Sequence, residues 1–390
     1  MSGLLFSTAW TVHTVFHIKT MHFGAFMVVL MGTIYELSIM LFEVPTGVIA
    51  DVVSRKLSSS LGWFVTGIAF LMQGVFPLVP VVIAAQVVMG IGETLVSGAH
   101  DAWVADEIPN TDPGVSAGHA FVLGQDYAFW GRISGTWIAL LASLGGLQLV
   151  LILSGLGFFV FAIVTHFMMT ERGFHRGNSE RKFWATFKQG WSIVRTSQML
   201  MLVLLVSVFY GFASEGFDRL WQKVLIDGYV LPKVGPFDDT FWWSVLGSAS
   251  LLGGYAFNHV IKKKVDTSSA RSITTALLVM TAVLIASMAG YALSTSLAVA
   301  VCLFVLSRAL RRAMDPLLKT WTNLYATPEH RATILSFGSQ AHSIGEIGGG
   351  PVVGTIGQYF TAARAVMTAA FLLLPTLPVL FKARSKSDPS

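Results

Sequence analysis

The chain has 390 residues, a net charge of +5, 12% charged residues and 54% apolar ones. Soluble domains carry about 25% charged residues, so this composition argues against a soluble enzyme and a disordered chain and points to a bilayer as solvent. One cysteine, Cys302, excludes a disulfide framework and a multi-thiolate metal centre.

In chain order, apolar segments predict twelve transmembrane helices. They lie near 3–19, 24–50, 57–76, 80–105, 116–142, 146–169, 199–226, 239–261, 271–292, 296–326, 330–359 and 363–381. Three stretches, Leu57–Gly92, Ile133–Thr170 and Ser272–Ser307, hold no Asp, Glu, Lys or Arg. Each is long enough for two crossings of about 20 residues. Turn signals sit at Pro77 and Pro80, at Gly145 and Gly146, and at Ser294 to Ser296. The first span lacks a basic flank and a small-residue cleavage site, so it reads as a true span.

Between the sixth and seventh spans, Phe183, Trp184, Phe187, Trp191 and Val194 recur at helical spacing opposite Lys and Arg. This predicts an amphipathic helix lying on the inner membrane surface. The expected domains are a six-helix bundle at 1–169, this linker at 170–198, and a second bundle with a short tail at 199–390. With the N-terminus inside, inner segments hold sixteen Lys and Arg and outer loops four. That bias predicts a multi-pass plasma-membrane protein with both termini cytoplasmic. Basic residues confined to short loops offer nucleic acid no surface.

The chain repeats itself. Gly47, Asp51, Arg55 and Lys56 end the second predicted helix, and Gly254, Asn258, Lys262 and Lys263 end the eighth at the same spacing, 207 positions later. Asp101-Ala-Trp103 is echoed by Lys319-Thr-Trp321, and Gly131-Arg132 by Gly345-Glu346. Echoes in one order imply two homologous halves, the architecture of secondary transporters with a midplane site.

On these residues the chain resembles the major facilitator superfamily, whose signature loop Gly47 to Lys56 matches. Glu43-Val-Pro45-Thr46, the run Ser214 to Trp221, and Asp315-Pro316 followed by Arg331 resemble its drug-efflux-like branch. Ser54 stands where a glycine is usual, Gln86 replaces an arginine before Gly90, and the fifth helix lacks the antiporter proline. The resemblance implies alternating access, with the first, fourth, seventh and tenth helices lining a central cavity. It also implies a cytoplasmic gate in which Asp51 caps a helix of the other half and Arg55 pairs with Asp106 or Glu107.

A charge at the bilayer centre costs about 2.5–3.5 kcal/mol even on a lenient scale, so the acids and bases inside the spans must pair or line a wet cavity. Candidate proton carriers are Glu93, Glu36, Asp126 and Glu346. Candidate cavity residues are Arg308, Arg132, Glu93, Tyr127, Trp130, Tyr210, Trp242 and Trp243. Candidate gate residues are Glu43, Asp51, Arg55, Lys56, Asp101, Asp106 and Lys319, with Asp101 and Lys319 as an ion pair across the repeat. Arg308 either pairs with a carboxylate of the N-terminal half or holds an acidic group of the substrate. Glu215 and Arg219 have the spacing of a local salt bridge. His13 and His17 share a helix face but lack further ligands, so neither metal nor cofactor is expected.

No P-loop, H-E-x-x-H or G-x-S-x-G motif occurs, which argues against an enzyme. The leading expectation is a monomeric secondary transporter exporting a hydrophobic or cationic compound by proton coupling, with substrate, protons and lipid as its partners. An importer or facilitator of one metabolite, or a non-transporting sensor on the same fold, stays open.

Overall fold

A computed structural model describes residues 1–111, 116–173, 179–327 and 330–386. The described residues form fourteen α-helices and no strand. They are α1 (Ser2–Val15), α2 (Ala25–Val52), α3 (Arg55–Val75), α4 (Val79–Thr111), α5 (Ala117–Ala142), α6 (Leu147–Met168), α7 (Ser179–Thr196), α8 (Gln198–Gly228), α9 (Thr240–Lys264), α10 (Ala270–Leu293), α11 (Leu297–Tyr325), α12 (Arg331–Tyr359), α13 (Ala362–Leu372) and α14 (Thr376–Lys386). A π-helical turn, Phe16–Thr20, extends α1. The predicted seventh span is thus α8, because the linker helix is α7.

Helix starts follow local chemistry. Ser54, Ser116, Ser197, Ser269 and Thr361 each accept a backbone N–H three residues on, so one orphan donor of α3, α5, α8, α10 and α13 is satisfied. The twelfth predicted span, 363–381, is two helices and not one. Pro375 supplies no N–H and restricts the residue before it. The chain tightens there through Leu373 N to Ala370 O (3.2 Å) and Thr376 N to Leu373 O (2.9 Å) before α14 starts. Six helical stretches are long and apolar enough to cross a membrane by length and composition alone, among them Leu147–Met168 and Ala270–Leu293.

The chain divides into two compact units. Unit 1 comprises Met1–Phe23, Ile34–Lys182 and Pro232–Gly247. In it α1 packs on α5 and α6, and α3 on α4 and α6. Trp63, Phe70 and Phe158 are buried at the α3–α6 contact, and the Phe70 and Phe158 rings stack at 5.7 Å. The start of α9 belongs to this unit: Ser244 donates to Thr136 O at 2.8 Å, and Lys19 meets Asp239 at 2.5 Å.

Unit 2 comprises Gly24–Thr33, Phe183–Leu231 and Ser248–Ser390. Here α8 packs on α12 and α13, and α10 on α11, α13 and α14. Glycines bring α12 into backbone contact with α8. A Cβ on Gly345 would lie 2.1 Å from Val208 O, and one on Gly349 2.3 Å from Phe212 O. Unit 1 repeats the device, since a Cβ on Gly135 would lie 2.3 Å from Leu4 O where α5 meets α1. Small residues four apart let two backbones approach where apolar side chains gain little from leaving lipid.

One part of the linker helix packs on unit 2. Val194 of α7 is fully buried with Leu200, Ile334 and Phe337, and the Trp191 and Phe337 rings meet edge-on at 5.8 Å. Val194 thus packs on α12 and α8, while Trp191 stays 43% exposed. The side chains of Phe183, Trp184 and Phe187 fall outside the described ones.

Candidate functional site

The charged site of unit 2 is built by α8, α10, α11 and α12. On α11, Arg308, Arg311, Arg312 and Asp315 recur at helical spacing and form one polar stripe. Ala309, Leu310, Ala313 and Leu317 fill the buried positions between them. Tyr210 and Asp218, two turns apart on α8, and His342 on α12 join the stripe around a cavity of about 360 Å³. Leu284, Met288, Leu318 and Leu373 supply part of its apolar wall.

Asp218 organises the basic side. Its Oδ1 accepts from Arg311 Nη1 at 2.7 Å and also from Arg308 Nη1. The three side chains are between 23% and 30% exposed, so they are packed yet reachable from the cavity. This corrects the sequence expectation for Arg308: its carboxylate partner comes from its own half, because α8 and α11 cross there. Asp315 instead bonds Lys319 at 2.9 Å within α11, both well exposed.

A second group lies beside the first. Ser214 donates to Glu346 Oε1 at 2.6 Å, and His342 Nε2 lies 3.4 Å from the same oxygen. Glu215 and Arg219 form their local pair at 2.9 Å, with both residues buried. The Tyr210 hydroxyl lies 2.7 Å from Thr281 Oγ1, and Thr281 spends its own proton on Leu277 O, so Tyr210 is the donor. An aromatic block backs the cavity, with Trp221 stacked on Phe304 at 4.2 Å.

In unit 1 the signature loop is tied down. Arg55 bonds Asp106, donates to Ala102 O at 2.9 Å and lies 3.9 Å from Asp51. Ser54, at the position where a glycine is usual, donates to Glu171 at 2.7 Å while accepting from Leu57 N at 2.9 Å. Glu171 also accepts from Lys56 N at 2.8 Å. Glu107, the alternative partner of Arg55, is instead used by Thr170 and by Gly173 N at 3.0 Å. Trp103 adds a bond to Thr170 O at 2.6 Å.

His13 and His17 converge on one acceptor. Each Nε2 lies 3.0 Å from Gln73 Oε1, and Gln86 donates to the same oxygen at 3.2 Å. All four side chains are buried. Gln86, at the position where the family carries an arginine, thus belongs to a neutral polar knot.

The remaining candidates disperse. Glu93 of α4 is half-buried and has no hydrogen-bond or ion-pair partner among the described residues. Asp126, Tyr127, Trp130 and Arg132 are exposed on α5, while Glu36 and Glu43 are half-buried on α2. Asp101 is exposed and Lys56 half-buried. Trp243, a cavity candidate, is 1% exposed inside unit 1, and its neighbour Trp242 donates to Pro232 O at 2.8 Å. Trp243 packs inside unit 1 at the start of α9, and Trp242 is half-buried beside it. Of the cavity candidates, Arg308 and Tyr210 line the unit 2 cavity. Gln73 and Glu171 were not singled out from sequence. Their signal was weak: one polar residue in an otherwise charge-free run, and one acid just past a span.

The family model described as Major Facilitator Superfamily matches residues 1–307. The "Uncharacterized MFS-type transporter YxaM" of Bacillus subtilis (strain 168) is 22% identical over 381 residues, covering 96% of this chain and 90% of its own. Among solved structures, a mutant of the nucleoside transporter NupG superposes with a TM-score of 0.80 at 11% identity, covering 97% of this chain and 96% of its own. A bacterial homologue of the human lysosomal transporter Spinster gives 0.76 at 15% identity, covering 100% and 96%. A POT family transporter in complex with 5-aminolevulinic acid gives 0.74 at 10%, covering 99% and 94%. At these identities the solved structures establish likeness of fold.

Proposed function

The chain belongs to the Major Facilitator Superfamily and is a multi-pass membrane transporter, and from that premise we propose that it exports a small molecule with a hydrophobic body by proton-driven alternating access. The two halves rock about a midplane site. It sits in the plasma membrane as a monomer with both termini cytoplasmic, as the loop charge bias argues. Glu93 is the observation that carries the coupling. An ionisable group within a transmembrane helix that no salt bridge among the described residues explains is a candidate to carry a proton. Glu346 is less suited, because Ser214 and His342 already engage it. Export rests on the resemblance of Glu43-Val-Pro45-Thr46 to the drug-efflux-like branch.

A second reading, import of a particular metabolite, is favoured by the charged side chains in the unit 2 cavity, which discriminate more than a wholly apolar chamber would. One experiment separates them. Fluorescent compounds of varied charge are followed in cells lacking their major exporters, with wild-type protein or Glu93→Gln, each with and without a protonophore. Lower accumulation with wild type, lost with protonophore and in the variant, is the expected result. Higher accumulation with wild type would replace export by import. Wild-type export that Glu93→Gln leaves intact would move the coupling to another acid.

A further inference from the structure

Two guanidinium groups share one carboxylate in the unit 2 cavity. Arg308 and Arg311 line it together with Asp218. Asp315, also in its lining, is bonded to Lys319. Asp218 serves Arg308 and Arg311 at once, through one oxygen, Oδ1. Glu346, the next acid, is taken up by Ser214 and His342. Each guanidinium presents five N–H donors in a flat fork. Among the described residues Arg308 and Arg311 use only one Nη1 contact each on Asp218, and the one further contact is the approach of Arg311 to the Phe217 ring at 5.8 Å. Uncompensated charge inside a membrane protein marks a place that a ligand or ion completes. The opposite wall is aliphatic: Leu284, Met288, Leu318 and Leu373.

We propose that this cavity receives the carboxylate head of an amphiphilic organic acid, with Arg308 and Arg311 holding the head and Leu284, Met288, Leu318 and Leu373 covering an apolar body. This rests on the transporter reading and names its substrate class. A guanidinium fork matches a carboxylate in two parallel bonds, which an ammonium or a neutral amide cannot reproduce. A volume of about 360 Å³ lies within the range of small-molecule sites. Asp218 acts as an internal counter-ion that keeps the two arginines apart from lipid and in place when no substrate is present. The sequence expectation was a hydrophobic or cationic cargo. At this cavity two arginines share a single carboxylate.

The test uses the purified full-length protein and a matched series: 4-phenylbutyrate, 4-phenylbutyramide and 4-phenylbutylamine. Thermal unfolding in detergent reads binding, and uptake into proteoliposomes reads flux. Dose-dependent stabilisation by the carboxylate alone is expected. Its apparent affinity should fall at least about tenfold in Arg308→Gln and in Arg311→Gln. Asp218→Asn, which removes the competing internal carboxylate, should strengthen it. Met288→Trp fills the cavity without touching a charge and should abolish the effect, which keeps the test usable if an arginine variant fails to fold. Stabilisation by the amine, by all three alike, or by none overturns the proposal. Carboxylate binding without flux would support the binding site and overturn the reading of this cavity as the transport site. Flux of the amine but not of the acid would do the reverse.

Discussion

Arg311 of α11 and Asp218 of α8 meet at 2.7 Å, and Arg308 reaches the same Asp218 oxygen. One carboxylate therefore fixes two helices and two cations. Removing an acid that serves two bases strands more charge than removing either base. Asp218→Asn should lower the stability of unit 2 by about 1–3 kcal/mol, discounted for partial exposure, and by more than Arg308→Gln. Melting of the two variants side by side checks the order. Equal losses would mean that Asp218 does not bridge.

Two glycines of α12 offer a controlled contrast. Gly349 faces the backbone of Phe212, with an added Cβ 2.3 Å from its carbonyl oxygen, whereas Gly338 has nothing within 4 Å. Gly349→Ala should cost about 1–3 kcal/mol by forcing α12 from α8. Gly338→Ala should be neutral or stabilise by up to about 1 kcal/mol through helix propensity. Thermal unfolding in detergent decides, and the idea fails if both behave alike.

Ser54 caps α3 and also binds Glu171. Restoring the family's usual glycine there, Ser54→Gly, should reduce stability, whereas Ser54→Thr should keep most of it. Losing the cap to glycine costs only a few tenths of a kcal/mol, and losing the hydrogen bond to Glu171 adds about 0.5–1.5 kcal/mol. If Ser54→Gly melts like wild type, the link to Glu171 contributes nothing.

Gln73 receives His13, His17 and Gln86 on one oxygen. Gln73→Met keeps the volume but removes the acceptor from buried donors, at a cost of about 1–3 kcal/mol for each group left unsatisfied. Gln73→Asn, one methylene shorter, should recover part of the loss. The readout is again thermal unfolding, and a Met variant as stable as wild type would show that the knot is not needed.

Among the described residues Glu93 has no partner to lose. Glu93→Gln should therefore leave stability within about 0.5 kcal/mol of wild type while removing sensitivity of flux to a proton gradient. A large fall in melting temperature would assign Glu93 a structural role.

Much of this was legible in the sequence. Low charge and long apolar runs determined a membrane protein built of helices, and near-integral helical spacing placed Arg308, Arg311, Arg312 and Asp315 on one stripe of α11. The local pair Glu215–Arg219 and the proximity of Arg55 to the acids ending α4 also follow from spacing and family likeness. These features depend on residues near in sequence, or on a motif that carries its own geometry.

Tertiary structure alone decided which faces meet. Asp218 is 90 residues from Arg308, and no spacing rule connects them. Their contact exists because α8 and α11 cross with both polar stripes turned to one cavity, while Gly345 and Gly349 let α12 close against α8. Gln73 joins His13 for the same reason, 60 residues apart. A helix encodes its own face within a turn or two, but the partner of that face is set by backbone approach and side-chain volume across the bundle.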